Sequence, residues 1–183
     1  CEDDYNEFQK EFEGFLANLS DEKVSKNKWA FDFSAKNEGF MSSSMVQYVT
    51  KGYDYKKLGY EWDGKMRVLN QILSSDYLQN KIRVMGGAYG GWARISPSGV
   101  TYFASYRDPN LNETMENYDA APEFLMNFDA DEDEMTRFII GTISNMDRPT
   151  TGSQRGAMAF QNHFTKQTKA EMEEERNAVL ATT

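Results

Sequence analysis

The sequence contains a single histidine, His163, so histidine chemistry could occur at only one place. A zinc site of the H-x-x-E-H or H-E-x-x-H kind needs two histidines close together, which this chain lacks. A Ser-His-Asp triad would have to use His163, which lies in a polar helical context with no nucleophile-elbow sequence nearby. We interpret His163 as a surface or half-buried helical residue. An autonomous enzyme that works through His163 is the least favoured function.

Other reactive groups give no stronger signal. Carboxylates cluster at residues 129–134 and 173–175, where a solvated helix face or a helix start explains them better than metal binding does. Cys1 is the only cysteine, so no internal disulfide can form and the redox compartment stays undetermined.

The unusual stretch is a glycine-rich run that contains Gly86, Gly87, Gly90 and Gly91. It lacks the G-x-G-x-x-G order and the Lys-Ser/Thr of a phosphate loop. Glycine weakens a strand, so four glycines need a reason. One reason is a bulge or tight bend where a helix crosses the sheet. The other is that a second backbone, such as an extended peptide added edge-on, must approach closely.

Arg83 precedes this run, Tyr89 lies within it, and both could do polar chemistry. Arginine offers five N–H donors and tyrosine a hydroxyl on a rigid ring. Both side chains could hold a peptide carbonyl or an oxyanion that develops on it. The alternative is that Arg83 pairs with the acidic surface and that Tyr89 simply packs.

The elements that would position these residues follow from hydrophobic periodicity. Helical spacing predicts helices over residues 5–19, 66–82, 131–146 and 153–164, and Thr168 with Glu171 predicts a capping box for a last helix. Asp108 and Pro109 indicate another helix start, and Pro122 should kink or shorten that helix. Strands are predicted over residues 29–33, 40–50, 83–95 and 100–106, with a loop over residues 52–64 and a turn at 96–99. This order predicts an α+β fold with a mainly antiparallel sheet and helices on one face.

Composition limits the partners. The 183 residues suit one ordinary domain, and the formal net charge of −9 disfavours nucleic acid. No apolar run approaches the ~20 residues that a membrane helix needs, and the acidic start is unlike a signal peptide, so we expect a soluble chain with no membrane partner. The compartment cannot be read from the sequence. The missing initiator Met indicates a piece of a longer protein.

Several motifs together resemble a known family. The run at residues 81–91, KIRVMGGAYGG, is followed by SGV at 98–100, SYRDPNL at 105–111, IIGTI at 139–143 and LATT at 180–183. NEGF at 37–40 and VQYV at 46–49 fit the same pattern. Over nearly its whole length the chain resembles the last domain of the presequence-protease branch of the pitrilysin/insulinase-type zinc metallopeptidases.

The resemblance implies a specific role. Such proteases have two hinged halves, each made of two similar α+β domains, which close around a chamber for unfolded peptides. Zinc is held by an H-x-x-E-H motif in the first domain, and the last domain is a copy without zinc. That last domain supplies an Arg and a Tyr that reach the substrate backbone, and the matching residues here are Arg83 and Tyr89.

In the complete enzyme a zinc-bound water would attack the peptide carbonyl, with the motif Glu as base. Arg83 and Tyr89 would then bind the carbonyl or the oxyanion, and Gly86, Gly87, Gly90 and Gly91 would let the peptide lie close. Closure of the two halves would align these groups.

We therefore expect residues 1–183 to form a single non-catalytic C-terminal domain with no cofactor of its own. Its partners would be the peptide substrate and the other domains of the same protease. The family domain has a strand before its first helix, which this chain lacks, and its pattern does not usually carry Pro122. The alternative function is a non-catalytic scaffold or peptide-binding module of a related but inactive protein.

Overall fold

Helix α1 is the regular element of the first part of the chain. The structure is a computed structural model that describes residues 2–31 and 37–183. It divides into two units, Cys1–Met41 and Ser42–Thr183, which are described separately. Helix α1 spans Glu2–Leu16 and confirms the helix predicted there. Its apolar stripe is exposed, and the rings of Phe8 and Phe12 stack with centroids 5.5 Å apart.

Before residue 50, the described residues do not form the strands predicted there. Residues 29–31 are irregular, and the rest of the strand predicted at 29–33 lies outside the described residues. The strand predicted over residues 40–50 is wrong, because strand β1 begins only at Thr50 and runs to Asp54. The loop predicted from residue 52 therefore begins inside this strand. Pairing with a distant strand decides this boundary, and local strand propensity does not reveal that pairing.

A three-stranded antiparallel sheet forms the centre of the second unit. Strands β2 (Gly90–Ile95) and β3 (Val100–Tyr106) form a hairpin, and the spatial order is β1-β3-β2. The turn predicted at residues 96–99 is confirmed, since the Ser96 amide donates to the Val100 carbonyl at 3.0 Å. Strand β3 is thus the central strand, and its residues alternate between the two faces of the sheet.

A long helical segment crosses one face of the sheet. It begins as helix α2 (Met66–Ile72) and continues with π-helical hydrogen bonding over Leu73–Met85. The strand predicted from residue 83 is therefore wrong at its start, because the helix continues to Met85 and β2 begins only at Gly90. Backbone hydrogen bonds decide this boundary, since the Gly86 amide still donates to the Lys81 carbonyl at 3.1 Å.

The main core lies between this helical segment and the sheet. Leu78 and Ile82 of the helix are almost completely buried, and they share a cluster with Ala93 of β2 and Phe103 of β3. Residues 93 and 103 face each other in the β2–β3 register, so they mark the helix-covered face of the sheet. The predicted α+β fold, with an antiparallel sheet and helices on one face, is confirmed.

Two short helices follow the hairpin. Helix α3 spans Asn112–Asp119 and helix α4 spans Ala121–Met126. Pro122 lies in the first turn of α4, where the missing N–H costs least, and the predicted interruption of the helix is confirmed. The helix start predicted at Asp108 is wrong, because α3 begins at Asn112. The Asp108 carboxylate is instead buried and hydrogen-bonded within the preceding turn.

Three helices complete the chain, α5 (Glu132–Met146), α6 (Gly152–Thr165) and α7 (Lys169–Leu180). They confirm the helices predicted there, including the capping box in which Thr168 and Glu171 bond reciprocally. Val179 of α7 packs with Val68 and Ile72 of α2 in a second buried cluster. Within the described residues, no helix combines the length and the apolar character needed to cross a membrane.

Tyr118 of α3 connects the core to the sheet. Its side chain is buried, and its hydroxyl donates to the Val49 carbonyl at 3.1 Å. Burial, with a smaller contribution from the nearby Asp108 charge, raises the pKa of Tyr118 from its ordinary value of 10.0 to about 12. Above pH 10 the unfolded chain therefore loses a proton that the folded chain still holds.

We expect the free energy of unfolding to be unaffected by this phenol below pH 10 and to fall as the pH rises from 10 to about 12. Urea unfolding at a series of pH values measures the fall. The variant Tyr118→Phe should show a smaller fall, with a remainder from Tyr55 and Tyr77, whose pKa values burial also raises. The exposed Tyr60→Phe serves as the control and should behave like the wild type. The same fall in Tyr118→Phe as in the wild type would contradict this assignment.

Candidate functional site

Arg83 and Tyr89 are both exposed where the helical segment ends and strand β2 begins. Arg83 lies in the last turn of that segment, and Tyr89 directly precedes β2 with 66% of its surface exposed. Neither side chain is sealed inside the domain. Among the described residues, no carboxylate lies within ion-pair distance of Arg83, so the alternative pairing with the acidic surface is not formed.

A hydrogen-bonded turn separates the two residues. The Gly87 amide donates to the Arg83 carbonyl at 3.1 Å, and the Ala88 amide donates to the Ile82 carbonyl at 3.1 Å. Gly87 has φ +78°, a left-handed conformation that favours glycine. The turn therefore ends the helix sharply, and Tyr89 follows it directly before β2.

Tyr89 enters the sheet beside a group of aromatic rings. Its amide donates to the Tyr106 carbonyl at 3.0 Å, and its ring meets the Tyr106 ring edge-on with centroids 5.5 Å apart. The Tyr106 ring also contacts Tyr48, with centroids 5.3 Å apart, and the Arg107 guanidinium lies 5.8 Å from its centroid. These contacts give Tyr89 a rigid aromatic neighbour while most of its own surface stays free.

Sequence reasoning missed Tyr48, Tyr106 and Arg107 as neighbours of the site. The family motif SYRDPNL includes residues 106 and 107, which was the available signal. The motif VQYV likewise includes Tyr48, but its contact with Tyr106 could not be predicted, because it depends on the pairing of residues 47 and 108.

Packing explains most of the glycine run. A Cβ at Gly91 would lie 2.9 Å from Cβ and Cγ2 of Ile82, and a Cβ at Gly86 would lie 2.7 Å from the Ile82 carbonyl oxygen. Gly87 is required by its positive φ. Only at Gly90 among these four would a Cβ meet open space, with no atom within 4 Å. The bend and close helix approach therefore account for three of the glycines, and Gly90 alone leaves room for another chain.

The outer edge of β2 is partly closed to an added strand. The Ala93 amide donates to the Ser74 hydroxyl at 3.0 Å, and the Ile95 amide donates to the Asn70 side-chain oxygen at 3.0 Å. These side chains of the helical segment satisfy the backbone groups that an edge-on peptide would need. A peptide that binds near Arg83 and Tyr89 must therefore be held by side-chain donors, because the Ala93 and Ile95 amides are already bonded.

The remaining candidate groups serve structure. Residues 132–134 form the acidic first turn of α5, capped by Asp131, and Glu175 accepts hydrogen bonds from Trp62 and Arg67. His163 is exposed on α6, with its ring against Phe164. Over residues 2–31 and 37–183, the structure brings together no group of three His, Cys, Asp or Glu side chains that could hold a metal ion.

These features define the class of the chain. It is an α+β domain that exposes Arg83 and Tyr89 on either side of the turn at residues 86–88, called here the glycine turn. Its described residues form no metal-ligand group. The chain belongs to the PreP C-terminal domain family, whose profile matches residues 37–183. It is thus the C-terminal domain of a presequence-protease-like protein.

The chain is also similar over most of its length to named proteins of other organisms. Protein HypA of Clostridium perfringens is 37% identical over 179 residues, which cover 98% of this chain and 18% of that protein. Presequence protease 1 of Arabidopsis thaliana is 36% identical over 155 residues, covering 84% of this chain and 14% of that protein. The mitochondrial presequence protease of Kluyveromyces lactis is 27% identical over 174 residues, with 88% and 17% covered. The chain therefore spans less than a fifth of the length of these relatives.

The structural role of the glycines can be tested with a matched pair of variants. We expect Gly91→Ala to lower the free energy of unfolding by ~1–3 kcal/mol, because the new methyl group overlaps Ile82 of the helix. Gly90→Ala adds the same methyl group in open space, so it should leave stability unchanged or raise it by up to ~1 kcal/mol. Urea unfolding of both variants measures the difference, and equal effects would contradict the close approach of the helix to β2.

Proposed function

We propose that this chain is the substrate-binding, chamber-closing C-terminal domain of a zinc metalloendopeptidase that degrades unfolded peptides. Its membership of the PreP C-terminal domain family supports the peptidase assignment, and two of the relatives above are named presequence proteases. Because the chain spans less than a fifth of those relatives, peptide hydrolysis would be an activity of the longer protein.

The observation that carries the proposal is the joint exposure of Arg83 and Tyr89 on either side of one hydrogen-bonded turn. An arginine without an ion-pair partner among the described residues is free to bind a group on another chain. A tyrosine whose backbone is fixed and whose ring is mostly exposed presents its hydroxyl at a defined place. This arrangement suits the binding of an external ligand better than it suits internal packing.

The two side chains match the chemistry of a peptide main chain. The guanidinium donates several hydrogen bonds in a planar fork, and the phenol donates one from a rigid ring. Donors of this kind bind a peptide carbonyl and bind more strongly the oxyanion that forms when the carbonyl is attacked. The open space at Gly90 would let the peptide backbone pass beside Tyr89 without a steric clash.

Zinc does not fit the residues that the structure describes in this chain, because they form no ligand group. In our proposal, as the family resemblance implies, the metal lies in another domain of the full-length protein, and the role of this chain is limited to binding and orienting the substrate. On its own, the 183-residue chain should show no peptide hydrolysis.

The roles of the two residues are tested by kinetics of the full-length protein on an unstructured peptide. We expect Arg83→Ala and Tyr89→Phe each to lower kcat/KM by ~10–1000-fold, the scale for loss of one oxyanion donor. Matched controls are Arg155→Ala on α6 and Tyr60→Phe, both exposed and outside the turn, which should keep wild-type kinetics. Wild-type turnover in both Arg83→Ala and Tyr89→Phe would overturn the proposed roles.

The sequence upstream of Cys1 in the full-length protein distinguishes our proposal from the alternative, a non-catalytic scaffold. Our proposal requires an H-x-x-E-H motif there, together with zinc in the purified protein and cleavage of an unstructured peptide. A full-length protein that lacks the motif and cleaves no peptide would instead favour the scaffold.

A further inference from the structure

The turn that follows strand β3 is organised by a buried carboxylate. Asp108 has no exposed surface, and its two carboxylate oxygens accept hydrogen bonds from the backbone amide of Asn110 and the Thr114 hydroxyl, each at 2.8 Å. The Asp108 backbone amide donates to the Gln47 carbonyl at 2.9 Å, and the Gln47 amide donates to the Asp108 carbonyl at 3.0 Å. Because buried polar groups are costly to leave unpaired, this set of bonds fixes the backbone from Asp108 to Asn110.

A side-chain hydrogen bond of Asn110 connects this turn to the glycine turn. Its side chain is half-buried, and its Nδ2 donates to the Gly86 carbonyl at 2.6 Å, although the two residues are 24 positions apart. Gly86 is the residue at which the helical segment ends. The bond therefore joins the turn after β3 to the start of the turn that separates Arg83 from Tyr89.

The position of Tyr89 depends on its backbone. Its side chain makes a ring contact with Tyr106, but its hydroxyl has no hydrogen-bond partner among the described residues. The backbone between Gly86 and Tyr89 is short and passes through the left-handed Gly87. A displaced Gly86 carbonyl would move this backbone, and with it the hydroxyl of Tyr89. Arg83 lies before the turn and is held by the helix itself.

We propose that Asn110 is a positioning residue for Tyr89, acting through the Gly86 carbonyl. This inference rests on the proposed function, in which the Tyr89 hydroxyl binds the substrate carbonyl or oxyanion. Asn110 itself need not touch the substrate. Its side-chain amide holds the Gly86 carbonyl and so fixes the start of the turn that leads to Tyr89.

The test measures kcat and KM of the full-length protein with an unstructured peptide. We expect Asn110→Ala to lower kcat by roughly 3–10-fold with little change in KM, the effect of losing one hydrogen bond that positions a catalytic donor. The matched control is Asn127→Ala, which removes an amide-to-carbonyl bond of 2.8 Å to Glu123 at the exposed end of α4 and should leave kcat unchanged.

A double-mutant cycle separates positioning from general destabilisation. In the Tyr89→Phe background, Asn110→Ala should cost little further kcat, whereas in the Arg83→Ala background it should keep its full effect. An equal loss of kcat in the wild-type and Tyr89→Phe backgrounds would overturn the inference but leave the proposed function intact. Wild-type kcat in Tyr89→Phe itself would overturn the role proposed for Tyr89 and, with it, this inference.

Amide hydrogen exchange gives a second readout that does not depend on turnover. Loss of the Asn110 bond should speed exchange at the Tyr89 amide, which donates to Tyr106, by roughly 3–10-fold while amides of α5 stay unchanged. If Asn110→Ala fails to fold, Asn110→Asp keeps the size of the side chain, removes the donor and is measured in the same way. Unchanged exchange at Tyr89 in a folded variant would contradict the positioning role.

Discussion

The close approach of a helix to a strand is the constraint on which the site depends. Gly91 has no side chain, so Ile82 of the helical segment can lie directly against β2, where an added Cβ would be 2.9 Å away. Nearly complete burial of Ile82 stabilises this arrangement through the core. Because the helix ends so near the strand that follows it, a turn of only a few residues separates Arg83, in the last helical turn, from Tyr89, directly before β2.

Side-chain hydrogen bonds then stabilise strand β2 and the glycine turn next to the helix. Ser74 and Asn70 bond the outer edge of β2, and Asn110 bonds the glycine turn. These bonds satisfy the Ala93 and Ile95 amides and the Gly86 carbonyl from within the domain. The groups left to orient a substrate are then the side chains of Arg83 and Tyr89, which project from a backbone that is held in place.

Several parts of this structure could be predicted from the sequence, because their signals are local. Helix α5 follows from its apolar periodicity, the start of α7 from the capping pair Thr168 and Glu171, and the break between α3 and α4 from Pro122. The location of β1 could not be predicted, since it is fixed by pairing with β3. The helical segment was predicted to end at residue 82 and continues to Met85, although Gly86 and Gly87 directly after it are a sequence signal for a helix end.

The candidate residues Arg83 and Tyr89 were identified from their types and from the family resemblance, whereas their surroundings needed the structure. The roles of Asp108 and Asn110 depend on bonds across distant parts of the chain, which no spacing rule predicts. The glycines illustrate the same limit. Their number indicated a close approach, but only the positions of surrounding atoms distinguish Gly91, packed against the helix, from Gly90, open to space.

The most direct measurement is a structure of the full-length protein, inactivated at its catalytic base, with an unstructured peptide bound. The account predicts that the Tyr89 hydroxyl and the Arg83 guanidinium each lie within about 3.2 Å of a main-chain oxygen of that peptide. A bound peptide that leaves both side chains facing solvent would contradict it.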